Sequence, residues 1–116
     1  MKLFRVREVV EKLGRRSDVT VEVQNNAWLI RIPKGADFVC EVTVPIDWCF
    51  EWFACVKQVG MKDDVWSDWM DHYGSSDAEL DAEMAGCIEA FVERVTRSEL
   101  KLPLSIWEKA EPDVVG

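Results

Sequence analysis

Histidine occurs once in this chain and glycine-rich phosphate loops do not occur at all, and those two shortages exclude several enzyme classes. With His72 alone, no two-histidine metal motif and no three-histidine zinc centre can be assembled. Neither GxGxxG nor GxxxxGK followed by Ser or Thr is present, so no nucleotide-cradling loop is recognised. The four cysteines, Cys40, Cys49, Cys55 and Cys87, lack CxxC spacing, and each reads as a small buried hydrophobe and not as a metal ligand or nucleophile. No run approaches the roughly 20 apolar residues that cross a bilayer. The N-terminus alternates charge with aliphatics instead of building a signal-peptide core. Together these shortages lead to the expectation of a cytoplasmic protein that is not an enzyme, with no catalytic residues, cofactor, metal or membrane partner.

What the chain does contain is the balance of a folded globule: 48% hydrophobic and 31% charged residues within 116 positions. That length fits a single domain over residues 1–116, with a flexible C-terminal end expected from about residue 110. Six tryptophans are unusual for this size. The net charge of −8 is concentrated, because Asp63 to Glu83 holds eight acids and no Lys or Arg, while the remaining 14 acids and 14 bases cancel. Residues 1–36 lean the other way, with eight bases against four acids. Phosphate charge opposes nucleic-acid binding by the acidic segment, and the bases are spread too widely to form a basic stripe, so no nucleic-acid partner is expected.

Periodicity organises the chain. Leu3, Val6, Val10 and Leu13 follow helical spacing, with Arg7, Glu8, Glu11 and Lys12 on the opposite arc and Gly14 as a stop. From Val19 the period becomes two, and Asn25-Asn26 offers a hairpin turn before a second strand from Trp28 to Ile32. Pro33-Lys34-Gly35 turns the chain into a third strand, in which Phe38, Cys40, Val42 and Val44 alternate with Val39, Glu41 and Thr43 up to Pro45. Trp48 to Val56 is apolar apart from Glu51 and favours a strand over a helix. Val65 to Tyr73 fits either state. As a strand it separates Trp66, Asp68, Met70 and His72 from Ser67, Trp69, Asp71 and Tyr73; the strand is preferred because a turn at 60–64 suggests pairing with the preceding run.

Ser76 and Glu79 have capping-box spacing at the start of a late helix. Its apolar stripe is Leu80, Met84, Cys87, Ile88, Phe91 and Val95, with acids in the first turns and Arg94 and Arg97 in the last. Pro103 bars further helix, and Trp107 is expected to pin the tail to the body. The fold class that follows is α+β: an antiparallel sheet of four or five strands with the N-terminal and late helices packed on one face.

The candidate site is the acidic segment. Asp77, Glu79, Asp81 and Glu83 are accounted for by the helix start. Asp63, Asp64, Asp68 and Asp71 flank Trp66 and Trp69, a pattern that serves either a protein interface, with carboxylates attracting and indoles anchoring, or a core segment kept soluble by its acids. His72 sits among these acids, and Asp68 and His72 with Asp71 are the one conceivable acid/base or metal constellation outside the cysteines, read as a surface ion pair or hydrogen bond in preference to a catalytic site.

In its compact, acidic, tryptophan-rich design, and in the runs Phe50-Glu51-Trp52-Phe53-Ala54-Cys55-Val56 and Trp66-Ser67-Asp68-Trp69-Met70-Asp71-His72-Tyr73-Gly74, the chain resembles bacterial immunity proteins. These are encoded beside secreted antibacterial toxins of the polymorphic, contact-dependent and type VI kinds. The resemblance implies a monomer or homodimer that binds a cognate toxin with a basic surface and neutralises it, by occluding its active site or holding it inactive. Asp63, Asp64, Asp68 and Asp71 would attract the toxin, Trp66 and Trp69 would anchor it, and His72 would lie among them. Two other classes stand beside it: a small enzyme or ligand-binding domain with a tryptophan-walled pocket, and an adaptor or structural subunit.

Overall fold

The computed structural model describes residues 3–46, 50–74 and 76–97. Trp48, Cys49, Pro103, Trp107 and the C-terminal end from residue 110 lie outside them, so the expectations attached to those positions do too. The elements are α1 (Phe4–Leu13), β1 (Thr20–Gln24), β2 (Ala27–Lys34), β3 (Phe38–Pro45), β4 (Glu51–Gln58), β5 (Asp64–Asp71) and α2 (Asp77–Arg97). The fold is α+β, as the periodicities indicate, with five strands in one antiparallel sheet.

Strand order follows chain order, β1-β2-β3-β4-β5, so every pairing is a hairpin between consecutive strands. Asn25 and Asn26 both take positive φ, 51° and 59°, the backbone a two-residue turn demands if it is to match the twist of β1 and β2. Gly35 (φ 68°) and Gly60 (φ 87°) supply the left-handed positions in the next and last hairpins. Between Val56 and Lys57 the β4–β5 register shifts, which places a bulge near the start of the last strand.

Both helices cover one face of the sheet. The core beneath them takes Trp28, Ile30 and Ile32 from β2, Cys40, Val42 and Val44 from β3, and Trp52, Ala54 and Val56 from β4. Val6, Val10 and Leu13 of α1 and Met84, Ile88, Phe91, Val92 and Val95 of α2 close over them. Phe91 lies edge-on to Trp52 at 5.5 Å between ring centroids. On the far side of the sheet, no helix or strand among the described residues covers the alternate positions.

Helix α1 begins without a cap of its own: Leu3 offers no side-chain acceptor and the first turn holds no acid. The second and third backbone N–H groups, which an N-cap side chain normally satisfies, instead donate to Asp81 of α2. Arg5 N–H reaches Oδ2 at 2.8 Å and Val6 N–H reaches Oδ1 at 3.1 Å. Asp81 is 5% exposed, the one buried charged residue among those described. Composition had assigned it to the solvated start of α2; its actual position is between the helices, where its charge meets the positive end of α1. Lys12 with Glu89 (2.6 Å) and Arg16 with Glu93 extend the α1–α2 contact on the outside. Ser76 Oγ accepts from Glu79 N–H at 3.2 Å, giving α2 the N-cap that its sequence forecast.

The late helix corrects one expectation. Cys87 is exposed, not buried, while Asp81, Ala85 and Val92 are buried. Because α2 packs against α1 as well as the sheet, its buried arc is rotated toward α1 and leaves Cys87 just outside. Replacing Asp81 with Ala is expected to cost about 2–4 kcal/mol, since it strands two helix N–H groups in an apolar contact. Urea denaturation measures this, and Asp81→Asn should lose less because one acceptor oxygen survives.

Candidate functional site

The strand alternation of β5 decides where each candidate residue goes. His72 N–H donates to Phe50 O at 2.9 Å. With the register this makes Trp52↔Met70 and Ala54↔Asp68 hydrogen-bonded pairs, and Glu51↔Asp71, Phe53↔Trp69 and Cys55↔Ser67 non-hydrogen-bonded pairs, whose side chains stand closer together. Trp66, Asp68, Met70 and His72 share the helix-covered face, and Ser67, Trp69 and Asp71 share the open one. The seven candidates therefore form two groups, with Asp63 in the preceding turn.

On the covered face, Trp66 is half-buried and stacks on Phe91 with 6.3 Å between centroids and 19° between planes. It belongs to the margin of the core. His72 is nearly enclosed, its side chain 6% exposed. Trp52 Nε1–H donates to its Nε2 at 2.9 Å, and its Nδ1 lies 2.9 Å from Glu83 Oε2. Indole N–H is a donor only, so Nε2 must present a lone pair and the ring proton resides on Nδ1, which donates to Glu83. The imidazole thus joins a core tryptophan to α2. Its acidic partner is Glu83 and not the aspartates adjacent in sequence, and the enclosed ring is a structural bridge instead of a contact surface.

Asp68 stands at the free edge of the sheet. Its Oδ1 accepts the N–H of Trp69 at 2.9 Å. In the ladder just described, the Trp69 N–H points away from β4, so this bond occupies a donor that an added strand would need. Asp68 is thereby engaged in blunting the edge.

The open face carries the other group. Trp69 is 60% exposed and tilts against Phe53, with ring centroids 4.8 Å apart. The pair continues a row across the sheet, Leu29–Thr43–Phe53–Trp69. Beyond it lies the cross-strand pair Glu51 and Asp71. Asp64 pairs in register with Lys57. Toward β1 the same face is neutralised by an ion network in which Arg31 joins Glu22 and Glu41 (3.0 Å) and Lys57 joins Glu41 at 3.4 Å. Aromatic area and unbalanced negative charge therefore coincide only at the β4–β5 side.

Phe53 and Glu51 were not singled out from sequence as site residues. The signal was present in the alternation of Glu51, Phe53, Cys55 and Lys57 with Trp52, Ala54 and Val56, but their partners depend on register. Among the described residues no group of three His, Cys, Asp or Glu side chains is placed to hold a metal ion, and no helix is long and apolar enough to cross a membrane. Comparisons of the chain with known family models, curated proteins and solved structures find no match.

Burial raises the thiol of Cys40 to about 12 and that of Cys55 to about 11, from an ordinary value of 9.0. The thiolate is the reactive form, so both should resist thiol reagents near neutral pH in the native protein; desolvation and the Glu83 charge raise the Cys87 thiol as well, but its exposure lets it react ahead of them. In a Cys49→Ser background, one thiol is expected to label quickly and two only on unfolding, as read by mass spectrometry. Between about pH 9 and 11 the native state holds protons that the unfolded chain releases, so these two thiols make stability fall as pH rises through that window.

Proposed function

We propose that this protein is an immunity protein: it binds a cognate antibacterial toxin in the cytoplasm of the producing cell and inhibits it stoichiometrically, performing no chemistry itself. The observation that carries the reading is the exposed Trp69, packed on Phe53 on a sheet face that no helix or strand among the described residues covers, next to the cross-strand pair Glu51 and Asp71, with Asp64 farther along the same face. A large indole held in place by a second ring is the kind of anchor that dominates protein interfaces. Negative potential around it accelerates encounter with a basic surface. The likeness in composition and in the two aromatic runs to immunity proteins supports the same class of partner. Relative to the sequence expectation, the contact set moves to Trp69, Asp71 and Asp64 together with Phe53 and Glu51, with Asp63 at the rim; Trp66, Asp68 and His72 support it from behind.

The test is co-purification with a toxin encoded by the adjacent gene, followed by calorimetric titration. A one-to-one complex that abolishes toxin activity is expected. Trp69→Ala should weaken it by about 2 kcal/mol or more, the cost typical of a central aromatic anchor. Neutralising Asp63, Asp64 and Asp71 together should slow association and flatten its dependence on salt, measured by stopped flow. An unchanged association rate would remove the steering role, and a toxin indifferent to the protein would reject the function.

A further inference from the structure

Glu51 and Asp71 occupy directly opposite positions on β4 and β5, in a non-hydrogen-bonded pair where Cα atoms approach to about 4.5 Å. Like charges at opposite positions destabilise a sheet. Elsewhere on this face Glu22 and Glu41 share Arg31 and Glu41 also meets Lys57, while Asp64 lies in register with Lys57. Among the described residues no Lys or Arg forms an ion pair with Glu51 or Asp71. The neighbouring pair on the same face, one step along both strands, is Phe53 with the 60% exposed Trp69. Two carboxylates therefore sit beside an indole face that is itself braced from behind.

We infer that this pair of cross-strand pairs is a receptor for an arginine side chain of the partner, laid over Trp69 with its guanidinium between Glu51 and Asp71. The inference rests on the reading of this face as the partner-binding surface and names the group that it recognises. A guanidinium is planar, stacks on an aromatic face and donates in a fork that suits two carboxylates at once. An ammonium ion is a strongly hydrated point charge and gains less from the indole. The occupant is a basic segment of another protein and not this same face of a second copy, which would bring carboxylates against carboxylates. Asp68 reinforces the choice: with the Trp69 N–H already taken, the edge favours recognition by side chains over addition of a strand.

The experiment titrates the full chain with hexa-arginine and with hexa-lysine amide peptides, following the Trp69 indole N–H by NMR at fixed ionic strength. Hexa-arginine is expected to bind about two- to fivefold more tightly, the ratio that a single exposed cation–π contact provides. Trp69→Leu, which keeps an apolar contact with Phe53 but removes the indole face, should erase the preference. Glu51→Gln and Asp71→Asn should each weaken hexa-arginine binding while raising the melting temperature, because each relieves the like-charge pair. Glu8→Gln, an exposed acid on α1, is the control and should change neither.

Equal affinity for the two peptides, absence of binding, or an arginine preference that survives Trp69→Leu would overturn the inference. So would Glu51→Gln and Asp71→Asn variants that bind as the parent does. A toxin complex indifferent to Glu51→Gln and Asp71→Asn would overturn the arginine contact and leave the inhibitor reading standing. Arginine selectivity with no toxin that binds would do the reverse.

Discussion

The carboxylate of Asp81 is the contact on which the arrangement of this molecule depends. Helix α1 lacks a first-turn acid and a capping side chain, so by itself it would leave its leading N–H groups without acceptors. Asp81 supplies both acceptors from α2 and, in doing so, fixes how the two helices lie against each other. The helix pair then covers one face of the sheet as a unit. One covered face is enough to form the core, and no helix or strand among the described residues covers the other. The exposure of Trp69 is in this sense a by-product of where the helices are fastened.

That division explains the mixed behaviour of the acidic segment. Four consecutive jobs are carried by residues of the same chemical type: Asp64 and Asp71 border the open face, Asp68 occupies a backbone donor at the sheet edge, Asp81 caps a distant helix, and Glu83 receives the proton-bearing nitrogen of His72. Charge counted along the sequence suggests one acidic patch. In three dimensions it is a patch and a set of structural ligands. The first group leaves negative charge on the sheet face that carries Trp69, while in the second Glu83 ties His72, just beyond β5, to α2 and Asp81 ties α2 to α1.

Much of the fold was legible because it is local. Period-two alternation, Asn25-Asn26 with its positive φ requirement, and the Ser76 cap all act within a few residues of themselves, and each forecast its element. The phase of β5 was legible too, since it separates Trp66 from Trp69 whatever the strand pairs with. Which phase faces the helices is not a local property, so the exposure of Trp69 and the half-burial of Trp66 were open until register and helix placement were known. Asp81 and Cys87 were misplaced for the same reason. A helix that packs on two neighbours has a wider and rotated buried arc, and the second neighbour, α1, lies more than 70 residues upstream.

The separation between Asp81 and the helix it caps also orders events during synthesis. Every strand pairs with the strand just before it, so the sheet can zip up in the sequence in which it leaves the ribosome. Helix α1 is made first yet receives its cap only after 75 further residues have emerged. Helix α1 thus waits for α2, and a chain cut short ahead of residue 81 has only the uncapped α1 to lay over its nascent sheet.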